Sequence, residues 1–173
     1  MSELLAESEY TSTIDAPIEA LDLTEWVFTL ADDEYQLCSQ AHIAAGASTD
    51  PAGKRVSINV EKVGNLIISH YNEDVSEKDH CRLVSTSDVL TAQGGRTKLH
   101  ITWELKAAPA ENGRCTFLNR VAVHATPEFL KFLADNKIDA TQAQAAMAKD
   151  LEAHNAEETP LFAKSIERMA RRR

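Results

Sequence analysis

The 173-residue chain is short of the residues that interrupt regular structure, with 6 glycines and 5 prolines. That is about half the share of average usage, which excludes collagen-like and low-complexity chains. Its 3 cysteines, Cys38, Cys81 and Cys115, are an odd set at wide spacing with no CxxC. A disulfide framework is therefore not expected, and a reducing cytoplasm is the expected setting. The first nine residues hold three glutamates and no basic residue, unlike the start of a signal peptide. No apolar run approaches the ~20 residues of a membrane span. Positive charge is scarce as well: 18 Lys plus Arg stand against 27 Asp plus Glu, a formal net charge of −9. Nucleic-acid and anionic-membrane surfaces need a basic footprint, so neither partner is expected. Four of the last six residues are arginines, which read as a solvated helix end. No GxSxG, P-loop, GxGxxG or HExxH occurs.

What is present is a 43 % hydrophobic content, enough for one substantial core in a chain of this length. Tyr10 to Ile14 reads as a short strand. Pro17 opens a helical turn over Ile18 to Leu21, with Asp15 as its candidate cap. Thr24 to Leu30 is a β-favouring run, and Asp32 to Ala47 reads as a helix with an acidic first turn and Ala-rich body. Five strands then follow at short spacing: 55–63, 65–75, 81–91, 96–107 and 114–125. The turns between them include Gly64-Asn65 and Gln93-Gly94-Gly95, so they form an antiparallel meander. Helices are expected over Pro127 to Asp135, Thr141 to Glu158 and Leu161 to Arg171, with Pro160 as a kink. Residues 1–9 read as a tail, 10–170 as one domain and 171–173 as a basic end.

A curved sheet with one apolar face needs a cover, and the long last helix is the element large enough to supply it. The order strand, short helices, meander, long C-terminal helix resembles the helix-grip fold of the Bet v 1-like superfamily (SRPBCC), which includes START domains and polyketide cyclases. The fold class expected is therefore α+β: an antiparallel sheet of about six or seven strands wrapped around the last helix. The resemblance implies a mostly apolar cavity between sheet and helix that takes a small hydrophobic or aromatic molecule. It does not imply catalysis, because many members only carry or sense ligands, and others are non-catalytic interaction modules. An exposed strand edge offers a route to a homodimer.

Strand parity selects the inward residues. Leu99, Ile101, Trp103 and Leu105 form the apolar set of one strand. Folding the neighbouring hairpins sets Val121, Asn119 and Phe117 on one side of them and Asp88, Thr86 and Val84 on the other. His70, Ile68 and Leu66, then Val56, Ile58 and Val60, continue the same face. The polar inward residues are His70, Thr86, Asp88 and Asn119. They either pair among themselves or orient a ligand in an apolar pocket. Trp103 is core or an aromatic wall. His70, His154 and Asp88 are the candidate catalytic groups, and a polyketide-cyclase-like reaction would need one general acid/base, His70 or His154. Ligand-binding candidates are Trp103, Asn119, Thr86, Phe117, Ile101, Met147 and Leu151.

The last helix carries an apolar stripe, Ala143, Met147 and Leu151, that continues into His154 and Glu158. Residues at i and i+4 share a helix face. This pair reads either as a local hydrogen bond or ion pair, or as half of a metal site for Zn²⁺ or Fe²⁺. It resembles helix-grip enzymes that cleave carbon–carbon bonds of acylated phenols, considerably longer chains. Those hold zinc with a His-x-x-x-Glu pair on the last helix and a His and a Glu from the sheet. The resemblance implies His154 and Glu158 for the helix pair; His70 and Asp88 are the inward imidazole and acid by parity, and no spacing motif fixes either. His42, in the Ala-rich segment, and His80, His100 and His124 share no ligand-like spacing.

Overall fold

The computed structural model describes residues 3–92 and 94–172; Gln93 of the Gln93-Gly94-Gly95 turn lies outside the described residues. Seven strands pair antiparallel in the order β1-β7-β6-β5-β4-β3-β2. They are β1 (Leu4–Ile14), β2 (His42–Thr49), β3 (Arg55–Val63), β4 (Asn65–Ser76), β5 (His80–Leu90), β6 (Arg96–Pro109) and β7 (Cys115–Ala125). Two short helices, α1 (Leu23–Thr29) and α2 (Asp32–Gln36), carry the chain from one sheet edge to the other. α3 (Pro127–Asp135) and the 31-residue α4 (Ala140–Ala170) follow the last strand. The sheet is open and curved, and α4 covers its inner face: the fold is α+β, as the element order predicts.

Four local differences from the sequence reading matter. The first strand begins at Leu4, so part of the expected tail pairs with β7. The run expected as a strand from Thr24 is helix α1. Asp22 caps it by accepting from the Glu25 amide at 3.0 Å, and Leu23, Trp26 and Val27 are buried. Burial of a helical face outweighs the weak β preference of those side chains. The segment expected as one helix from Asp32 is α2 followed by β2, because Ala44 to Thr49 pairs with Arg55 to Val60. Alanine's helix propensity is a few tenths of a kcal/mol per residue and yields to a sheet edge. Finally, α4 runs unbroken through Pro160. Its buried anchors Thr159, Phe162 and Ala163 hold both sides of the proline in the core.

The sheet register decides which side chains face α4. On β6 the inward set is Thr97, Leu99, Ile101, Trp103 and Leu105, all buried. β7 is displaced by four residues from the expected pairing, setting Trp103 opposite Val121 and Leu105 opposite Asn119. An even displacement preserves the face, so Asn119 and Phe117 stay inward. β5 is displaced by one, with Ile101 opposite Ser85 and Leu99 opposite Ser87. An odd displacement turns every side chain over. Ser85, Ser87 and Val89 therefore face inward, while Thr86 is exposed and Asp88 lies on the outer face, bonded to Arg96 at 3.0 Å. The same inversion propagates outward. Ile67, Ser69 and Tyr71 point in from β4, and Ser57, Asn59 and Glu61 from β3, with His70 exposed. Val56, Ile58 and Val60 take the other face.

The core is closed by aromatic side chains from three elements. Trp26 of α1 meets Phe162 of α4 edge-on at 5.1 Å, and Trp103 lies 5.8 Å from Phe162. Both indoles hydrogen-bond: Trp26 Nε1 donates to Ser165 Oγ and Trp103 Nε1 to Asn119 Oδ1, each at 2.9 Å. Each fully buried aromatic contributes on the order of 1.5–3 kcal/mol. Gly64, at φ +65°, turns β3 into β4 directly under α4; a Cβ there would strike the Asp150 carboxylate. This close approach fixes the height of the helix over the sheet.

Candidate metal centre and cavity

Four side chains from three elements converge beneath α4. His42 opens β2, Glu61 pairs with it across β3, and His154 and Glu158 lie one turn apart on α4. His42 Nε2 is 3.0 Å from Glu158 Oε2, and His154 Nε2 is 3.1 Å from the same oxygen. Glu61 Oε2 lies 3.5 Å from His154 Nε2 and 4.0 Å from His42 Nε2. His42, His154 and Glu158 are buried and Glu61 nearly so.

A second ring of partners fixes each of these groups. His42 Nδ1 lies 2.7 Å from the Tyr35 carbonyl oxygen, and its ring stacks on the Tyr35 phenol at 3.8 Å. A carbonyl only accepts, so Nδ1 carries the hydrogen and Nε2 is turned toward the cluster. His154 Nδ1 lies 3.3 Å from Ser39 Oγ, whose own hydrogen goes to Glu157 at 2.9 Å. That imidazole too presents Nε2 inward. Tyr35 donates its hydroxyl to Glu61 Oε2 at 3.2 Å, and Asn119 Nδ2 donates to Glu158 Oε1 at 3.0 Å. Asn119, wholly buried, also reaches Asn155 Oδ1 and Thr159 Oγ1.

The electrostatics follow from this geometry. Burial opposes a charge on His154, but the Glu158 carboxylate and hydrogen bonds to Glu158 and Glu61 outweigh it and lift its pKa to about 10. Burial likewise pushes Glu158 up, and the two imidazoles outweigh it, bringing it down to about 2. In the metal-free protein the cluster thus holds its charges by pairing them. Burial, aided by Glu61, keeps the Tyr35 and Tyr71 phenols well above their usual range, so both stay protonated.

The donor set fits a divalent cation. With Nδ1 protonated, a neutral His42 turns a lone pair toward a carboxylate oxygen 3.0 Å away; two acceptors at that distance need a proton or a cation between them. Four ligand atoms each about 2.0–2.2 Å from a tetrahedral zinc lie roughly 3.3–3.6 Å from one another. His42, Glu61 and His154 offer ligand atoms that all lie within 4.8 Å of one another, and Glu158 Oε2 adds a fourth oxygen 3.0 and 3.1 Å from the two imidazoles. Two imidazoles with two carboxylates is a set that zinc and ferrous iron accept, and inner ligands held by outer hydrogen bonds are the rule in such sites.

Glu61, His154 and Glu158 floor a small chamber of about 40 Å³ walled by Tyr71, Ile101, Trp103, Leu151 and Phe162. Beside it lies a larger apolar cavity of about 210 Å³ between β6 and the helices α3 and α4, walled by Leu99, Phe129, Leu133 and Met147 among others. Ile67, Ile101, Val123 and Leu151 border both.

Of the residues singled out in the sequence, the fold brings together His154, Glu158, Asn119, Trp103, Ile101 and Leu151, with Met147 in the larger cavity. Phe117 is buried core. His70, Thr86 and Asp88 are on the far side of the sheet, for the reason of register given above. The sheet imidazole and acid beside the helix pair are instead His42 and Glu61. Sequence reasoning misses both, because local pattern puts His42 in a helix and parity puts Glu61 on the outer face. The usable signal is the polar alternation Ser57, Asn59, Glu61 on a strand.

No family model matches the chain, and no curated protein matches it. Solved structures do. The ZhuI aromatase/cyclase from Streptomyces sp. R1128 superposes with a TM-score of 0.54 at 16 % identity, over 96 % of this chain and 94 % of that one. A protein from Thermus thermophilus gives 0.52 at 15 %, over 96 % and 97 %. The di-domain ARO/CYC StfQ from the steffimycin biosynthetic pathway gives 0.57 at 11 %, over 96 % of this chain and 52 % of that one. At these identities the likeness is one of fold.

Proposed function

The chain has a helix-grip, Bet v 1-like fold, and we propose that it is a metal-dependent hydrolase of a small hydrophobic or aromatic ligand. His42, Glu61, His154 and Glu158 would hold the cation, zinc by donor chemistry. The observation that carries this reading is the inward Nε2 of both imidazoles, each set by a partner on its Nδ1. The arrangement is similar to the helix-grip enzymes that cleave acylated phenols at a carbon–carbon bond, with His42 and Glu61 in the place of the sheet pair. That reaction class is the finer part of the proposal.

Bound there, zinc supplies Lewis acidity toward a carbonyl group and water. The chain's own side chains do the rest. Asn119 holds Glu158 through its outer oxygen, and Tyr35 holds Glu61 by donating to the oxygen that faces the imidazoles. The protonated Tyr71 phenol, in the wall of the small chamber, offers a hydrogen bond to a substrate oxygen. Ile101, Trp103, Leu151 and Phe162 exclude bulk water, which strengthens every polar contact inside.

Metal analysis of protein purified without a His tag tests the proposal. About one equivalent of zinc or another transition metal is expected. Less than ~0.2 equivalents, with no uptake on adding zinc, would overturn it, since a built site of this donor set binds far more tightly than that.

A metal-free reading keeps the same cavity. His154, with its pKa lifted to about 10, is then an imidazolium at neutral pH and can act as a general acid in cyclase-like chemistry. A purely structural interaction module is disfavoured by the cavity of about 210 Å³, which such a role would fill with side chains.

A further inference from the structure

The apolar cavity contains one misfit. Thr97 lies on the inner face of β6, is 4 % exposed, and lines the cavity; its hydroxyl has no hydrogen-bond partner among the described residues. The neighbouring threonine in the wall, Thr91, spends its hydroxyl on the Gly95 amide at 3.0 Å. Its cross-strand partner is Val89, and Leu99, Phe129 and Leu133 share the cavity wall with it; none of these can donate or accept from a side chain. A buried hydroxyl left unpaired in such surroundings is unfavourable.

Its position relative to the metal centre is informative. Ile101 borders both chambers, and Thr97 is four residues earlier on the same strand. Thr97 shares a cross-strand row with Glu61, through Val89 and Ile67; three strand spacings of about 4.8 Å set it about 14 Å across the sheet from Glu61. The walls of this cavity are mostly apolar, with Asn65, Thr91 and Asp150 also in the lining, and Thr97 adds a buried hydroxyl with no partner among the described residues.

We propose that the ligand is elongated and carries an oxygen at each end: one facing Glu61, His154 and Glu158, and a hydroxyl or carbonyl that hydrogen-bonds to Thr97 Oγ1. Its body between them is apolar. The proposal rests on the reading of this cavity as the ligand chamber and narrows the ligand class to compounds with a distal oxygen. A threonine suits the role because its hydroxyl can donate or accept. It therefore recognises a phenol, an alcohol or a ketone while rejecting a hydrocarbon end, which would leave Thr97 unpaired.

The test compares two ketones that differ by a single hydroxyl, 6-phenylhexan-2-one and 6-(4-hydroxyphenyl)hexan-2-one. Their binding is measured by calorimetry on the full chain, on Thr97→Val and on Thr97→Ser. Wild type is expected to bind the hydroxylated ketone about tenfold more tightly. Thr97→Val, which keeps the branched shape, abolishes or reverses that preference, and Thr97→Ser retains it. Equal affinity of wild type for both ketones, meaning that trapped water alone serves Thr97, overturns the proposal. A preference that survives Thr97→Val, or failure of both ketones to bind, overturns it too. Metal analysis of the same samples keeps the two readings apart. One equivalent of metal without a Thr97-dependent preference sinks only the ligand assignment, and the converse sinks only the metal.

Discussion

His42 Nε2 and Glu158 Oε2, 116 residues apart in sequence, meet at 3.0 Å in the buried cluster beneath α4. One residue comes from an edge strand and the other from the middle of α4, so the contact ties the far edge of the sheet to the helix that covers it. Replacing Glu158 with Gln keeps the shape and removes the charge. Metal content is expected to fall from about one equivalent to below ~0.2, because a neutral amide is a poor ligand for zinc. Inductively coupled plasma analysis reads this directly, and retained stoichiometry in the variant would remove Glu158 from the site.

Tyr35 supports both sheet residues of the proposed metal site, through its carbonyl and ring to His42 and its hydroxyl to Glu61. Tyr35→Phe leaves the first two contacts and deletes the third. Zinc affinity should weaken about 10- to 100-fold while the fold is kept, as is usual when an outer hydrogen bond to a ligand is lost. Competition with a chromophoric chelator measures it; unchanged affinity would show that Glu61 needs no support.

The pH dependence of the metal-free protein has a defined sign. His154 is raised to about 10 from an ordinary value near 6.5, so its contribution to stability is complete below about 6.5 and disappears as pH rises through 10. Glu158 is lowered to about 2, so its contribution is complete above about 4.5 and is lost as pH falls toward 2. Urea unfolding in the presence of a chelator should therefore give greatest stability from this pair between about pH 4.5 and 6.5. In Glu158→Gln the His154 imidazole should titrate well below 10 by NMR; an unaltered titration would contradict the pairing.

Asn119 accepts from Trp103 and donates to Glu158, Asn155 and Thr159 in a wholly buried setting. Asn119→Ala strands an indole N–H and leaves a small void. A loss of about 2–4 kcal/mol is expected in the unfolding free energy, the size of breaking a buried polar network. A loss under ~0.5 kcal/mol would mean that water replaces the amide.

His70 serves as the contrasting control. Exposed on the outer face of β4, it should be replaceable by Ala with stability changed by less than about 0.5 kcal/mol and metal content unchanged. Any loss of metal in His70→Ala would place the outer face in the function.

Much of the architecture is legible in the chain. The meander from residue 55 to 125 shows in its alternation, the last helix in its length, and the inward set of β6 in Leu99, Ile101 and Trp103. His154 and Glu158 are recognisable as a pair because helical spacing places i and i+4 together whatever surrounds them. What is not legible is any choice between nearly equal local alternatives. The outer strands have apolar residues at Val56, Ile58 and Val60 and polar ones at Ser57, Asn59 and Glu61, and parity alone cannot say which set is covered.

The order of elements, the covering helix and the His154–Glu158 half of the proposed donor set thus follow from the chain read alone, since they depend on periods of two and 3.6 written along it. The other half of the donor set is a product of long-range packing. A displacement of one residue between β5 and β6 inverted the outer strands and turned Glu61 in and His70 out. Pairing with β3 made a strand of a segment with helical propensity and placed His42 beside Glu158. Register and edge pairing are set by contacts between residues distant in sequence, whose energies exceed the local preferences that a single chain displays.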